Sequence, residues 1–431
     1  MISIYKKQRG DDMHIENEIL INDFIWAISE AVELISPVLN NHHKKVAYIS
    51  SNIAREMGLS GDDIQNIILA SMLHDIGVFS VKEWIEIASI NEEHPDMDRH
   101  AYIGYELLKD LEPLCKVAEI IKDHHAGFRK TQDKIPVGSY IIHLADRLSL
   151  MYDQRCDILE QAPAMLSRIH EKRSKFHPDT LAALEKLGKM EYIWFEAFTQ
   201  DITPDMMRGV HFSKVIVDLP TLREFAKTIA QIIDFRSRFT ATHSSGVAAV
   251  ARELSSMSGF SERECKMMEI AGFLHDLGKM AIPNEILEKK GALNTMEFNL
   301  IRKHTYYTYV ILNKIRGLEN VAVWAANHHE RPDGNGYPFH VKDGDFSKLS
   351  RIMAVADVVT ALTEDRPYRE GMDRKNVESI LQGMINNNGI DRDIVELASK
   401  NFVHINDLRM TAQQEARQEY EAFYESLHIP A

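Results

Sequence analysis

Histidine and aspartate recur in this chain as an ordered set of seven, and the set appears twice. The later copy is His243, the pair His275-Asp276, His304, the pair His328-His329, and Asp357. The earlier copy is His42, His74-Asp75, His100, His124-His125 and Asp146. In both, 32 residues separate the first histidine from the His-Asp pair, and 24 separate the third histidine from the His-His pair. Imidazole nitrogen and carboxylate oxygen suit first-row divalent metals such as Fe, Mn, Co, Ni and Zn, and soft sulfur is absent from both sets. A lone histidine on an apolar helix face is usually a core residue, and a His-His dipeptide is commonly incidental. Placing 10 of the 20 histidines in two matched series is not what chance yields.

The chemistry such a set can do is phosphate-ester hydrolysis. A bridging carboxylate holds two cations about 3.5–4 Å apart, and the pair ionises a water and polarises a phosphate without any covalent intermediate. The sequence assigns Asp276 as the bridge. One cation takes His243, His275, Asp276 and Asp357; the other takes Asp276, His304, His328 and His329. The earlier set of seven offers a second metal pair on the same logic.

Helices must position these residues. Val247, Val250, Ala251 and Leu254 fall on one face of a helix opening at His243, and Val46, Ile49, Ser50 and Ile53 repeat those offsets after His42. Gly58 and Gly259 stop these helices. A further helix in each copy ends on Leu-His-Asp-(Ile/Leu)-Gly, where the glycine suits a C-terminal cap. Little strand is expected, and the fold class is all-α: two tandem helical bundles. Domain boundaries are expected at 15–200 and 221–405, with a linker at 201–220 carrying Pro204, Gly209 and Pro220, and a terminal helix at 406–431. On that helix Leu408, Ala412, Ala416, Tyr420, Phe423 and Leu427 form an apolar stripe. Packing on its own domain is the simpler reading of the stripe; a homodimer contact is the other.

The 431 residues are enough for two domains of about 200 residues. A net charge of −14, from 50 basic and 64 acidic residues, argues against a grip on long nucleic acid but leaves room for a small phosphodiester. Cys115, Cys156 and Cys265 form no metal or disulfide spacing. No apolar run long enough for a bilayer and no leader peptide is read, so a cytoplasmic location away from membranes is expected.

The later half also carries HDLGK at 275–279, HHERPDGNGYP at 328–338 and DVVTALTEDRPYR at 357–369. Together these resemble the HD-GYP family of metal-dependent phosphohydrolases across about residues 235–402, and the earlier half resembles a plain HD domain. The resemblance implies a bacterial signalling phosphodiesterase opening cyclic dinucleotides, cyclic di-GMP foremost and 3',3'-cyclic GMP-AMP equally compatible, to linear dinucleotide or mononucleotides. It implies catalytic roles for Asp276 and Lys279, and substrate contacts from Lys279, Asp333, Gly336, Tyr337, Pro338, Arg366 and Arg369. Lys279 would hold a phosphoryl oxygen; by itself it reads as a helix-end lysine facing the dipole.

Phe239 stands where some family members carry a glutamate for a third metal, so two metals are expected in this half. The earlier half has Val78 in place of Lys279, no GYP loop, and 21 residues from His125 to Asp146 rather than the 28 from His329 to Asp357. It is expected to bind metal without efficient turnover of cyclic dinucleotides and to act as a regulatory or dimerising partner, with a second hydrolase on another nucleotide as the alternative. For the whole chain, an HD-type phosphohydrolase on another nucleotide and a non-catalytic cyclic-dinucleotide receptor are the competing readings.

Overall fold

A computed structural model describes residues 18–35, 41–78, 97–128, 134–199, 202–203, 206–207, 215–235, 242–289, 291–365 and 370–427. Its elements, in chain order, are β1 (Ile19–Leu20), α1 (Ile21–Glu33), α2 (His42–Glu56), α3 (Gly61–Leu73), α4 (Met97–Leu108), α5 (Cys115–Lys122), α6 (Val137–Leu150), α7 (Ile158–Glu171), α8 (Pro178–Leu187), α9 (Glu191–Ala197), β2 (Ile216–Val217), α10 (Leu219–Phe235), α11 (His243–Met257), α12 (Glu262–Leu274), α13 (Asn284–Leu287), α14 (Thr295–Leu312), α15 (Glu319–Ala326), α16 (Lys348–Thr363), α17 (Arg374–Asn386), α18 (Arg392–Lys400) and α19 (Phe402–Ser426). The fold is all-α. Its sheet, among the described residues, is the two-residue antiparallel pairing of Ile19 with Val217 and Leu20 with Ile216.

The chain divides into two compact units, residues 24–215 and residues 216–431, the latter joined by the leading residues up to Asp23. The β1–β2 pairing accounts for that last assignment, since it ties residues 19–20 to the start of the later unit. These limits differ from those drawn on the sequence, where the earlier domain began at residue 15.

Each unit repeats one arrangement. In the earlier unit α2 packs on α3 and α6, and α5 packs on α3 and α4; in the later unit α11 packs on α12, α16 and α19. The predicted apolar faces are the buried ones: Val247, Val250, Ala251 and Leu254 are fully inaccessible, as are Val46 and Ile53. Each of the valine, leucine and isoleucine side chains contributes on the order of 1.5–3 kcal/mol. Helix starts are set by side-chain caps. Ser261 and Glu264 form a reciprocal capping box on α12, Asn294 and Glu297 do so on α14, and Ser60 caps α3 through the Asp63 N–H.

The glycine reading needs correction. Gly58 and Gly259 have φ of 74° and 85° and end α2 and α11 as expected. Gly77 and Gly278, read as helix caps, have no such backbone. α3 and α12 end before them, at Leu73 and Leu274. They are glycine because the backbone of the third histidine lies against them: a Cβ on Gly278 would meet the His304 carbonyl oxygen at 1.9 Å, and one on Gly77 would meet that of His100 at 2.2 Å. The Gly278 N–H donates to Thr308 Oγ1 at 2.9 Å, and that hydroxyl donates to the His275 carbonyl at 3.0 Å. The His-Asp turn is thereby pinned to the helix carrying His304.

The register of the terminal helix also differs. The most deeply buried side chains of α19 are Ile405, Arg409, Gln413 and Ala416; of the expected stripe Ala416 is among them, while Leu408, Ala412, Tyr420, Phe423 and Leu427 are half-buried. Two polar residues are buried against α11, where Gly246 leaves room for Gln413.

Candidate metal centre

The later unit brings its seven predicted ligands to one place. His243 opens α11, His275 and Asp276 follow α12, and His304 lies in α14. The turn after α15 carries His328 and His329, and Asp357 lies in α16. His243, His275 and Asp276 offer atoms all within 4.8 Å of one another, as do His304, His328 and His329. Asp276 stands between the groups. Its Oδ2 is 3.2 Å from His275 Nε2, and its Oδ1 is 3.4 Å from His304 Nε2 and 3.9 Å from His328 Nε2. Asp357 Oδ1 is 3.2 Å from His243 Nε2, and its Oδ2 is 3.9 Å from His329 Nδ1.

Tautomers test whether these residues suit metals. Nδ1 of His275, His304 and His328 lies 2.7, 2.6 and 2.6 Å from the carbonyls of Gly272, Ile301 and Ala325. A carbonyl only accepts, so each Nδ1 carries the proton and each neutral ring turns an Nε2 lone pair inward. His304 Nε2 and His328 Nε2 then face each other at 3.1 Å. Two lone pairs at that distance repel unless a cation lies against them. Burial, with the neighbouring histidines, holds the His328 imidazole well below its ordinary pKa; burial, with His329 and Lys279, pushes that of His304 down to about 3. Both are therefore unprotonated ligands at neutral pH. His275 Nε2 is buried with no hydrogen-bond partner among the described residues. The cage fits divalent metals.

Burial opposes ionisation of Asp276, but His275, Lys279 and His304 outweigh it and hold the carboxyl well below the usual range. Lys279 Nζ donates to Asp276 Oδ2. Its side chain keeps 22% exposure.

The GYP loop folds beside His329. The Tyr337 N–H donates to the His329 carbonyl at 3.2 Å, and the two rings lie 5.0 Å apart. Gly336 is required there, since a Cβ would meet Glu330 Cα at 2.4 Å. Glu330 clamps the far side of the loop, accepting from the N–H groups of Phe339 at 2.6 Å and Val341 at 3.0 Å. Pro338 follows Tyr337 through a cis peptide bond. Asp333 is engaged within the loop, accepting from Arg331 at 2.7 Å and from the Asn335 N–H at 2.8 Å. Arg366, Arg369 and Phe239 lie outside the described residues.

Three features went unread in the sequence. Glu364, the C-cap of α16, is buried with Oε2 3.0 Å from His243 Nδ1. It also accepts from Gln413 Nε2 at 3.0 Å, and Gln413 Oε1 accepts in turn from Arg409. Arg302 lies with its guanidinium 5.0 Å from the centre of the Tyr337 ring. Asp234 and Glu33 are carboxylates nine residues before the first histidine of their units. Ser244 Oγ donates to Asp234 at 3.3 Å, and the His43 N–H donates to Glu33 at 2.8 Å. That matched spacing was the available signal.

The earlier unit builds a comparable cage. His42 Nε2 is 3.2 Å from Asp146 Oδ1; His74 Nε2 is 3.3 Å from Asp75 Oδ2; His100 Nε2 is 3.4 Å from Asp75 Oδ1. His124 and His125 complete the other side, with Nε2 atoms 3.3 and 3.0 Å from His100 Nε2.

Known proteins resemble this chain in sequence and fold. Residues 40–151 and residues 227–394 each match an HD domain family. The chain belongs to the HD-domain family. Its two HD domains align over 403 residues, 90% of the chain and 93% of the relative, with the 3'3'-cGAMP-specific phosphodiesterase 1 of Vibrio cholerae at 27% identity. A second relative from that organism, 3'3'-cGAMP-specific phosphodiesterase 2, is 35% identical over 42% of this chain and 36% of its own length. A cyclic di-GMP phosphodiesterase of Pseudomonas aeruginosa is 40% identical over 31% of this chain and 32% of its own. In fold, the chain resembles a crystal structure of a cyclic GMP-AMP specific phosphodiesterase of V. cholerae, with a TM-score of 0.60 at 19% identity over 92% of this chain and 98% of that one. No described helix is long and apolar enough to cross a membrane.

Proposed function

We propose that the protein is a metal-dependent phosphodiesterase that opens cyclic dinucleotides in the second HD domain, as part of cytoplasmic second-messenger signalling. One observation carries this reading: Asp276 turns one oxygen toward His275 and the other toward His304 and His328, with Lys279 beside it. His243, His275, Asp276, His304, His328, His329 and Asp357 would hold divalent cations, which when bound would supply an ionised water and polarise the phosphate. Lys279 offers an ammonium to a phosphoryl oxygen where charge develops. Tyr337 offers an aromatic ring for a base to stack on, and Arg302 places a guanidinium over that ring. Arg366 and Arg369 are retained as substrate contacts on the strength of the RPYR motif.

A guanine-containing substrate fits both groups of relatives. The likeness over nearly the whole chain is to a 3'3'-cGAMP-specific enzyme, while the P. aeruginosa cyclic di-GMP enzyme covers about a third, so 3',3'-cyclic GMP-AMP is the first substrate to test. The experiment is incubation of anaerobically purified, Mn- or Fe-loaded protein with each nucleotide, products being resolved by chromatography. Wild type is expected to give linear dinucleotide or mononucleotides, and Asp276→Ala none. Intact nucleotide after prolonged incubation would turn the reading toward a receptor.

A further inference from the structure

The two HD domains differ at positions that decide how many coordination places stay open. In the second domain the first histidine is followed by Ser244, whose hydroxyl turns away to Asp234 at 3.3 Å, and Lys279 occupies Asp276 Oδ2. In the first domain the corresponding residues are His43 and Val78. His43 is fully buried. Its Nε2 lies 3.7 Å from Asp75 Oδ2, the oxygen that His74 and His42 approach at 3.3 and 3.8 Å. Its Nδ1 is 3.0 Å from Ser29 Oγ. Among the described residues, Nε2 of His43 and Nε2 of His74 have no hydrogen-bond partner. An extra imidazole is thus aimed at the oxygen that carries an ammonium in the other domain.

Arg147 is the second difference; its counterpart is Val358. The buried guanidinium lies 3.0 Å from Asp146 Oδ2 and 3.3 Å from His125 Nδ1. Arginine only donates, so His125 Nδ1 accepts, and the neutral ring carries its proton on Nε2. That is the atom facing His100 at 3.0 Å, and a protonated nitrogen does not ligate. One half of the cage gains a ligand and the other half loses one.

We propose that the first HD domain holds a single divalent metal in a closed, structural site made by His42, His43, His74, Asp75 and Asp146, with Arg147 supplying the positive charge that a second cation would bring. Structural sites are filled by protein donors, whereas catalytic ones keep a place for water. His43 fills that place. Three nitrogens and two oxygens suit a first-row metal. The site stands apart from whatever the second domain hydrolyses.

Metal counting on the full chain tests it. Mn-loaded, dialysed His43→Ser protein, carrying the serine that follows the first histidine in the other domain, is expected to hold one ion fewer per chain than wild type, or to bind that ion at least tenfold more weakly. An unchanged count and affinity would overturn the assignment. Asp276→Ala protein, lacking the other domain's bridge, is expected to keep one Mn ion. Because that ion has no exchangeable water, it should leave solvent-proton relaxation nearly unaltered. Strong relaxation enhancement from that ion, or a first domain holding two ions, would overturn the closed single site without any change at His43. Should the cyclic-dinucleotide reading fail, the His43→Ser deficit would remain.

Discussion

Glu364 Oε2 lies 3.0 Å from His243 Nδ1, inside the second HD domain, and Asp357 Oδ1 lies 3.2 Å from Nε2 of the same ring. Burial favours the neutral imidazole, but the two carboxylates outweigh it and push the pKa up to about 10. Without metal, therefore, His243 is an imidazolium that bridges two acids. A metal arriving at Nε2 displaces that proton, and Glu364 keeps the one on Nδ1, fixing the ring's orientation.

Glu364→Gln should therefore weaken the first metal by about 10- to 100-fold, the usual cost of losing such an outer partner. It should also lower the His243 pKa, so that metal binding at pH 8 releases less than the roughly one proton expected from this residue in wild type. Metal titration in weakly buffered solution measures both. Equal affinity and equal proton release would leave Glu364 as an ordinary buried acid. The sign for stability follows: the folded pKa is raised, so the His243 contribution is full below about pH 6.5 and fades as pH rises through about 10.

Six other buried ligand-cage histidines act in the opposite sense. Burial pushes His304 down to about 3 and His74 down to about 4, and holds His124, His125, His328 and His329 below their ordinary value. Between these values and about 6.5, the unfolded chain binds protons that the folded chain refuses, so stability falls as pH falls through that window. EDTA-treated protein should show a thermal midpoint that drops steadily from pH 7 to pH 4.5. Bound metal should raise the midpoint most at neutral pH, since the same protons compete for the ligand nitrogens. A midpoint flat across this range would mean that the rings are not buried in neutral form.

The ligands were legible because rigid helices fix their spacing: a His-Asp turn 32 residues after a helix-opening histidine can fold in few ways, and it recurs. What surrounds them was not. Glu364 sits in a charged stretch, TEDRPYR, and reads as a solvated acid. Its partners Gln413 and Arg409 lie on a face that hydropathy assigns to solvent, because a buried polar residue looks like an exposed one until its hydrogen bonds are known. Gly278 was seen but misread, since composition cannot separate a glycine needed for positive φ from one needed for close approach. His43 is adjacent to a ligand, and only the geometry gives it a direction.

Lys279 offers the sharpest test of chemistry as distinct from metal holding. Its ammonium touches Asp276 Oδ2, yet the side chain remains partly exposed. Burial would favour the neutral amine, but Asp276 outweighs it and raises the pKa, so the group is cationic at any working pH. Seven ligands remain when it is removed, and Val78 at the matching place in the first domain packs there as an apolar residue. Lys279→Ala should therefore retain its metals. If the ammonium meets a phosphoryl oxygen chiefly as charge develops, kcat and kcat/KM should fall together, by about 10²–10³-fold for loss of one such donor. Lys279→Arg, which restores charge but not shape, should recover part of the loss. A rise in KM alone would place the lysine in ground-state binding, and loss of metal in step with loss of turnover would make it a structural partner of Asp276.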